Sequence, residues 1–234
     1  MESQGPSLDV AAEVRIAETR ARPHLLTTPV VPSVGLTEEV GSPVMLKCEN
    51  LQHTGSFKAR GAVNKVLSLT PEELERGIIT ASTGNHGAAV AYASGIVGAQ
   101  ALVVVPENAN PSKLAAIERL GAHIHVLGRD SVDSELGARA MAEEREATFV
   151  SPYNDPAIIG GQGTLGLELL DQVGDLAAVF VAVGGGGLAS GVAGIIKAER
   201  PRVRVIGCSP AASAVMYLSL IHISEPTRRR DSSR

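Results

Sequence analysis

Residues 177–187 read AAVFVAVGGGG, an apolar and largely β-branched run followed directly by four glycines. A short run of this kind, closed by a turn, is typical of a strand buried in a parallel sheet. The next residues, 188–198 (LASGVAGIIKA), have apolar side chains at three- and four-residue spacing and predict a helix. Strand, glycine turn and helix together make one βα unit, which indicates an α/β fold.

The same alternation of apolar runs and Ala-rich stretches extends over most of the chain. We predict further buried strands at residues 77–81, 101–105, 122–127 and 203–207. Further helices are predicted at residues 87–97, 111–120, 132–145 and 157–173. A helix at 8–21 and a strand at 44–48 precede these units, and a polar break at 151–156 (SPYNDP) predicts a crossing between two lobes.

Composition excludes several classes of function. Of the 234 residues, 44% are hydrophobic and 20% are charged, with a net charge of −4, as is ordinary for a globular protein. Aromatic residues make up only 3%, so we expect no nucleic-acid partner. The chain shows neither a secretory signal nor an apolar run of about 18 residues, so we expect a cytoplasmic protein without membrane contact. Cys48 and Cys208 are expected to be core thiols.

The glycine run at Gly184, Gly185, Gly186 and Gly187 is suited to hold a phosphate, because bare backbone N–H groups and a helix start both favour an anion. A flexible turn is the plain alternative. A Walker loop is excluded, since Leu188 follows where lysine is required. A dinucleotide fingerprint fits the loop, which keeps an NAD-dependent oxidoreductase open, but residues 207–209 (GCS) lack the carboxylate that would hold the ribose. A cofactor with a single phosphate is therefore favoured.

A cofactor with one phosphate directs attention to lysines, because pyridoxal phosphate is held by an imine to a lysine amine. Lys58, in residues 54–62 (TGSFKARGA), is one of five lysines, and its local sequence alone favours a surface position. A second strand-to-helix junction, residues 80–87 (TASTGNHG), places hydroxyl and amide side chains beside the positive end of a helix. That end suits a substrate carboxylate, with simple helix capping as the alternative, and a lone histidine there is more often structural than catalytic.

Three segments in this order, GSFKARGA at 55–62, STGNH at 82–86 and the glycines at 184–187, resemble the fold-type II pyridoxal-phosphate family. The similarity runs from about Val14 to Tyr217, and it is strongest to threonine and serine dehydratases and serine racemases. It implies a fold like that of the tryptophan synthase β-subunit, with two open parallel-sheet α/β lobes of which the larger is incomplete. The implied limits are 1–60 and 153–218 for the large cofactor domain, 61–152 for the small domain, and 219–234 for a tail.

The resemblance also implies a role for each matching residue. Lys58 would hold pyridoxal 5'-phosphate as a Schiff base, and Phe57 would pack near the ring. The phosphate would be bound by Gly184, Gly185, Gly186, Gly187 and Leu188. Asn85 would bond the ring hydroxyl, and the substrate carboxylate would be framed by Ser82, Thr83, Asn85 and His86. The implied reaction removes the α-proton of L-threonine or L-serine through the neutral Lys58 amine and eliminates the β-hydroxyl, giving a 2-oxo acid and ammonia.

Two departures from the resembled pattern bear on the activity. Thr83 stands where serine racemases have a serine that acts as a base, so racemisation remains an alternative that the added methyl group weakens. Ser209 and Val215 stand where relatives with a divalent cation have carboxylates, so no metal is expected. The motif STGNH at residues 82–86 is also similar to that of the dehydratases of hydroxyectoine breakdown. The preference between L-threonine, L-serine and a hydroxyectoine-derived amino acid therefore stays open.

The C-terminal residues depart from the pattern as well. Residues 219–234 (SLIHISEPTRRRDSSR, from Ser219) resemble the translation of a sequencing adapter, so we expect this tail not to be native. In the resembled family the large lobe continues past Tyr217 and supplies the group that faces the pyridine nitrogen. We therefore expect this chain to bind the cofactor weakly or not at all, and the full-length parent to be active and homo-oligomeric.

Overall fold

The structure is a computed structural model that describes residues 8–213 and Met216. Within these residues the helices are α1 (Val10–Ala21), α2 (Val34–Val40), α3 (Lys58–Val66), α4 (Pro71–Arg76), α5 (Asn85–Val97), α6 (Pro111–Arg119), α7 (Ser131–Glu144), α8 (Pro156–Gln172) and α9 (Gly187–Glu199). The strands are β1 (Val30–Pro32), β2 (Met45–Lys47), β3 (Ile78–Ala81), β4 (Ala101–Val105), β5 (His123–Val126), β6 (Thr148–Phe149), β7 (Ala178–Ala182) and β8 (Arg204–Cys208).

The middle of the chain folds around a four-stranded parallel sheet with the order β5-β4-β3-β6. Helices cover both faces, as parallel sheets require. Val103 and Val105 pack on one face against α5 and α6, and Val104 packs on the other face against α7. The alternating valines of β4 thus divide between two cores, and the carboxyl end of β3 leads straight into α5.

A second core lies where α1, α8 and α9 pack against the two-stranded parallel sheet β7-β8. Helix α3 crosses α8 at very close range: a Cβ on Gly61 would lie 2.9 Å from the Ile158 carbonyl oxygen, and one on Gly161 would lie 2.5 Å from the Arg60 carbonyl oxygen. Only glycine permits this approach, because a side chain would require the backbones to separate. The crossing fixes the start of α3 relative to α8.

The predicted element positions agree with the structure to within a few residues, which confirms the α/β class. Helices α2, α3 and α4 and the short strands β1 and β6 were not predicted as elements. The prediction of full burial is wrong for β5, β7 and β8. Strand β5 is the edge of its sheet, and Phe180 on β7 is 70% exposed because the described residues leave one face of that sheet uncovered.

The prediction of core thiols is also wrong, since Cys48 is half-buried and Cys208, the last residue of β8, is exposed. None of the helices within the described residues is long and apolar enough to cross a membrane. The domain limits inferred from the resemblance stay a prediction. Val215, Tyr217 and the tail at 219–234 lie outside the described residues.

Candidate active site

Lys58 is the first residue of α3, and its side chain turns inward rather than into solvent. Its Nζ donates a hydrogen bond of 2.5 Å to the carbonyl oxygen of Pro152 and lies 5.3 Å from the centroid of the Phe57 ring. Burial lowers the pKa of the Lys58 amine from its ordinary value to about 8. The surface position favoured by the local sequence is therefore wrong, and the amine is chemically poised to lose its proton near neutral pH.

The junction between β3 and α5 presents an open helix start. Gly84 is the N-cap of α5, and no side chain makes a capping hydrogen bond there. Ser82 Oγ instead accepts a hydrogen bond of 3.2 Å from the Gly84 N–H, and the Asn85 side chain is exposed. The simple capping alternative is therefore wrong. The first amides of α5, together with the hydroxyl groups of Ser82 and the half-buried Thr83, are available to an anion.

His86 is buried, with 3% of its surface exposed, and its Nε2 lies 3.1 Å from the carbonyl oxygen of Val150. Because a carbonyl can only accept, Nε2 holds the proton and Nδ1 is an acceptor, which has no partner among the described residues. Burial first, and then the nearby charge of Lys58, lower the pKa of His86 to about 4. The ring is neutral and structurally held, as the local sequence predicted.

The glycine run connects β7 to α9, and its conformation explains its composition. Gly186, the N-cap of α9, has a φ of 87°, and α9 begins without a side-chain cap or an acidic residue in its first turn. A Cβ on Gly185 would lie 2.4 Å from Cγ of Tyr153, and one on Gly187 would lie 2.9 Å from the Tyr153 carbonyl oxygen. The free positive end of a 13-residue helix, reached through exposed glycines, suits a phosphate.

The segment from Val150 to Tyr153 links the three predicted motifs. The Val150 carbonyl accepts hydrogen bonds from His86 and, at 2.8 Å, from Thr80 Oγ1. The Pro152 carbonyl accepts from Lys58, and Tyr153 packs against the glycine run. The structure therefore brings the lysine, the second junction and the glycines to one place. Sequence reasoning missed this role of the polar break, because backbone carbonyls leave no signal in a sequence.

Two hydroxyl groups lie in the sequence just before α3. Thr54 Oγ1 and Ser56 Oγ are both buried and lack hydrogen-bond partners among the described residues. A buried hydroxyl without a partner costs free energy, and a bound polar molecule would remove that cost. The Lys58 amine and the open start of α9 fit a cofactor that offers a carbonyl carbon and a phosphate.

The described residues contain no group of three or more side chains suited to a metal ion. Ser209 Oγ donates a hydrogen bond of 3.2 Å to the Val183 carbonyl oxygen. Val215, the other position considered for a cation, lies outside the described residues.

Comparison with known proteins gives matching results for sequence and structure. The chain is 41% identical over 207 residues to an L-threonine ammonia-lyase of Geobacter sulfurreducens, covering 88% of this chain and 52% of that protein. It is 45% identical over 185 residues to one of Thermotoga maritima, covering 79% of this chain and 46% of that protein. The chain thus spans about half the length of these relatives.

Among solved structures, threonine deaminase isoform 2 from Solanum lycopersicum superposes with a TM-score of 0.88 at 34% identity, covering 93% of this chain and 64% of that one. Serine racemase from Dictyostelium discoideum gives 0.85 at 38% identity, covering 91% and 69%. The family model described as pyridoxal-phosphate dependent enzyme matches residues 21–232, which confirms the resemblance and the cofactor and disfavours a dinucleotide. On the strength of this match and of the shared fold, the chain belongs to the pyridoxal-phosphate dependent enzyme family.

Proposed function

We propose that the full-length protein is a pyridoxal-phosphate-dependent ammonia-lyase that converts L-threonine or L-serine into a 2-oxo acid and ammonia. One observation carries the proposal: the inward-turned Lys58 amine and the glycine run contact neighbouring residues, Pro152 and Tyr153. An amine that could hold the cofactor and a helix start that could bind its phosphate therefore both lie beside residues 152–153. The printed names of the relatives from Geobacter and Thermotoga support the same reaction.

The residues that would hold the cofactor follow from this placement. Lys58 would bind its aldehyde carbon, and Phe57, whose ring lies beside Nζ, would limit the ring position. The first amides of α9, from Gly187 and Leu188, would bind the phosphate together with Gly184, Gly185 and Gly186. Asn85, at the exposed start of α5, would bond the ring hydroxyl. The bound cofactor would supply an electron sink for negative charge at the substrate α-carbon.

The proton chemistry falls to Lys58. With a pKa of about 8, roughly a tenth of such amines are neutral at pH 7, against about one in 2,500 for an ordinary lysine. The neutral amine is the form that accepts the α-proton, so burial raises the fraction of competent base. The Pro152 carbonyl, which accepts from Nζ, orients the amine before reaction.

The substrate carboxylate would bind at the start of α5. Because the pKa of His86 is lowered to about 4, that ring offers no positive charge near neutral pH. Binding would therefore depend on the amides of the first turn and on the Ser82 and Thr83 hydroxyls rather than on a histidine cation. The matching residues Asn85 and His86 would frame this anion from the helix itself.

Serine racemisation is a second candidate, supported by the superposition on the Dictyostelium serine racemase. Thr83 keeps a hydroxyl at the position where racemases have serine, but its methyl group restricts the rotamers of that hydroxyl. Ammonia-lyase activity is therefore proposed to dominate. Hydroxyectoine-derived amino acids remain within the proposed substrate class.

Several properties of the full-length protein belong to the same proposal. It is cytoplasmic and homo-oligomeric, acts on a small molecule, and binds neither nucleic acid nor membranes. Its large domain includes residues 1–60 and 153–218, its small domain comprises residues 61–152, and residues 219–234 are proposed not to belong to the native protein.

An activity assay on the full-length protein tests the proposal. We expect release of 2-oxobutanoate from L-threonine or pyruvate from L-serine to exceed D-serine formation. Lys58→Ala should lower the rate by at least about 100-fold, the usual contribution of a positioned base, while Lys113→Ala, at an exposed position of α6, should leave it unchanged. Activity that survives Lys58→Ala, or D-serine as the main product, would contradict it.

A further inference from the structure

Arg60, two residues after Lys58, is fully buried, with 0% of its surface exposed. Its Nε and Nη2 each donate a hydrogen bond of 2.7 Å to the Glu49 carboxylate. Its Nη1 and Nη2 donate to the Glu168 carboxylate at 2.8 and 2.9 Å, and Nη1 also donates to Thr164 Oγ1 at 3.2 Å. All five N–H groups of the guanidinium therefore have a partner.

These contacts join three separate parts of the chain. Glu49 lies in the 3-10 turn Glu49–Leu51, Arg60 lies on α3, and Glu168 lies on α8. Glu168 also contacts Lys47 and Arg22, and Arg22 contacts Glu18. Three cations and three carboxylates make up this network, so its charges balance. Paired, charge-assisted hydrogen bonds of this kind fix geometry more strongly than single neutral ones.

No side-chain cap supports the start of α3. Phe57, its N-cap, provides no side-chain hydrogen bond, and the nearby Ser56 Oγ is buried without a partner among the described residues. Helices that begin without a cap lose about 1 kcal/mol and fray more readily. The Arg60 pairs, together with the close crossing at Gly61, hold this first turn in place.

Residues two apart on an α-helix point about 200° apart. Arg60 and Lys58 thus leave α3 on opposite sides, Arg60 toward Glu49 and Glu168 and Lys58 toward Pro152. We propose that Arg60 is a positioning residue: its ion pairs with Glu49 and Glu168 fix the first turn of α3 and so hold the Lys58 amine against the Pro152 carbonyl. The inference rests on the proposed role of Lys58, but it can be tested without the cofactor.

The link between Arg60 and Lys58 is mechanical rather than electrostatic. Burial is the cause that lowers the pKa of Lys58, and no charged partner contributes to it. The charge of Lys58 contributes to the lowered pKa of His86 on α5, and His86 is itself neutral near pH 7. The network behind α3 is balanced in charge. A change in Lys58 that follows a charge-conserving change at Arg60 therefore reports a change in position.

The test measures how readily each lysine of the cofactor-free chain reacts with a small amine-directed reagent as a function of pH, with peptide mapping by mass spectrometry. The reactivity of Lys58 should reach half its maximum near pH 8, which is the midpoint of its titration. The exposed Lys113 is the control for changes in the reactivity of the reagent with pH. In Arg60→Lys, which keeps the charge but loses the paired geometry, the Lys58 midpoint should rise by about one pH unit or more as the amine moves into water.

Two further variants keep the test decisive, and circular dichroism checks that each is folded. Glu49→Gln is a milder change that can be used if Arg60→Lys does not fold. If Glu49→Gln disturbs the position of Lys58, the Lys58 midpoint should rise, whereas the loss of the carboxylate charge alone would lower it. Lys47→Met removes a cation from the same network without touching α3, and should leave the midpoint unchanged. An unchanged or lowered midpoint in the folded Arg60 or Glu49 variant, or an equal rise in Lys47→Met, overturns the proposal. Absence of the cofactor imine at Lys58 would refute the proposed function but not this result.

Discussion

Alanine at Gly185 should disturb the packing of Tyr153 against the glycine run. A Cβ at that position would lie 2.4 Å from Tyr153 Cγ and 2.5 Å from Cδ1. Carbon atoms in contact prefer about 3.5–4.0 Å, so the ring must retreat by roughly 1 Å. Cγ is fixed to the backbone by one intervening atom, and that backbone is itself packed against Gly187. We expect the strain to lower the free energy of unfolding by about 1–3 kcal/mol.

Urea unfolding measures this loss, and the neighbouring glycine provides the control. Gly184 has no atom within 4 Å of a built Cβ, so Gly184→Ala should change the free energy of unfolding by less than about 0.5 kcal/mol. In a Tyr153→Ala background the cost of Gly185→Ala should disappear, because the clashing ring is gone. Equal effects of the two alanines, or an undiminished cost without the Tyr153 ring, would refute the packing described here.

Three further predictions concern the site and its support. The pKa of His86 is lowered from 6.5 to about 4, so its neutral ring stabilises the fold above pH 6.5, and this contribution of up to about 3 kcal/mol is lost as the pH falls toward 4. The difference in free energy of unfolding between the unmodified protein and a His86→Asn variant should therefore narrow over that range, and a constant difference would contradict this. Gly61→Ala should lower the free energy of unfolding in urea by about 1–3 kcal/mol, because its Cβ would lie 2.9 Å from the Ile158 carbonyl oxygen. Gly35→Ala, with open space around it, should cost less than about 1 kcal/mol, and similar losses for the two variants would disprove the close crossing. Thr83→Ser in the full-length protein should raise the ratio of D-serine to pyruvate formed from L-serine, and an unchanged ratio would exclude this hydroxyl as the second base.

The elements that sequence predicted well are those with strong local periodicity. Strand β4, with its alternating valines, and helix α8, which begins at Pro156 after the capping side chain of Asp155, were found within one residue. Exposure was predicted less well, because whether a strand is an edge depends on its neighbours in space. Strand β5, which reads HIHV, was predicted as buried but lies at the edge of the sheet.

The site was predicted only as separate motifs. Lys58 looks like a surface residue from its neighbours in sequence, and only Pro152, 94 positions away, reveals that it is turned inward. The ion pairs of Arg60 join residues 11 and 108 positions apart, and no local pattern records them. Contacts to backbone carbonyls and ion pairs between distant segments are set by tertiary packing, which explains why the segment from Val150 to Tyr153 was missed.

The central claim is that Lys58 anchors the cofactor. The most direct measurement is borohydride reduction of the full-length protein with bound pyridoxal phosphate, followed by peptide mapping. Reduction should remove the absorbance band near the edge of the visible range and leave the cofactor covalently attached at Lys58, and Lys58→Ala should show neither the band nor the label. A label on another lysine, or none in an otherwise active protein, would contradict the account.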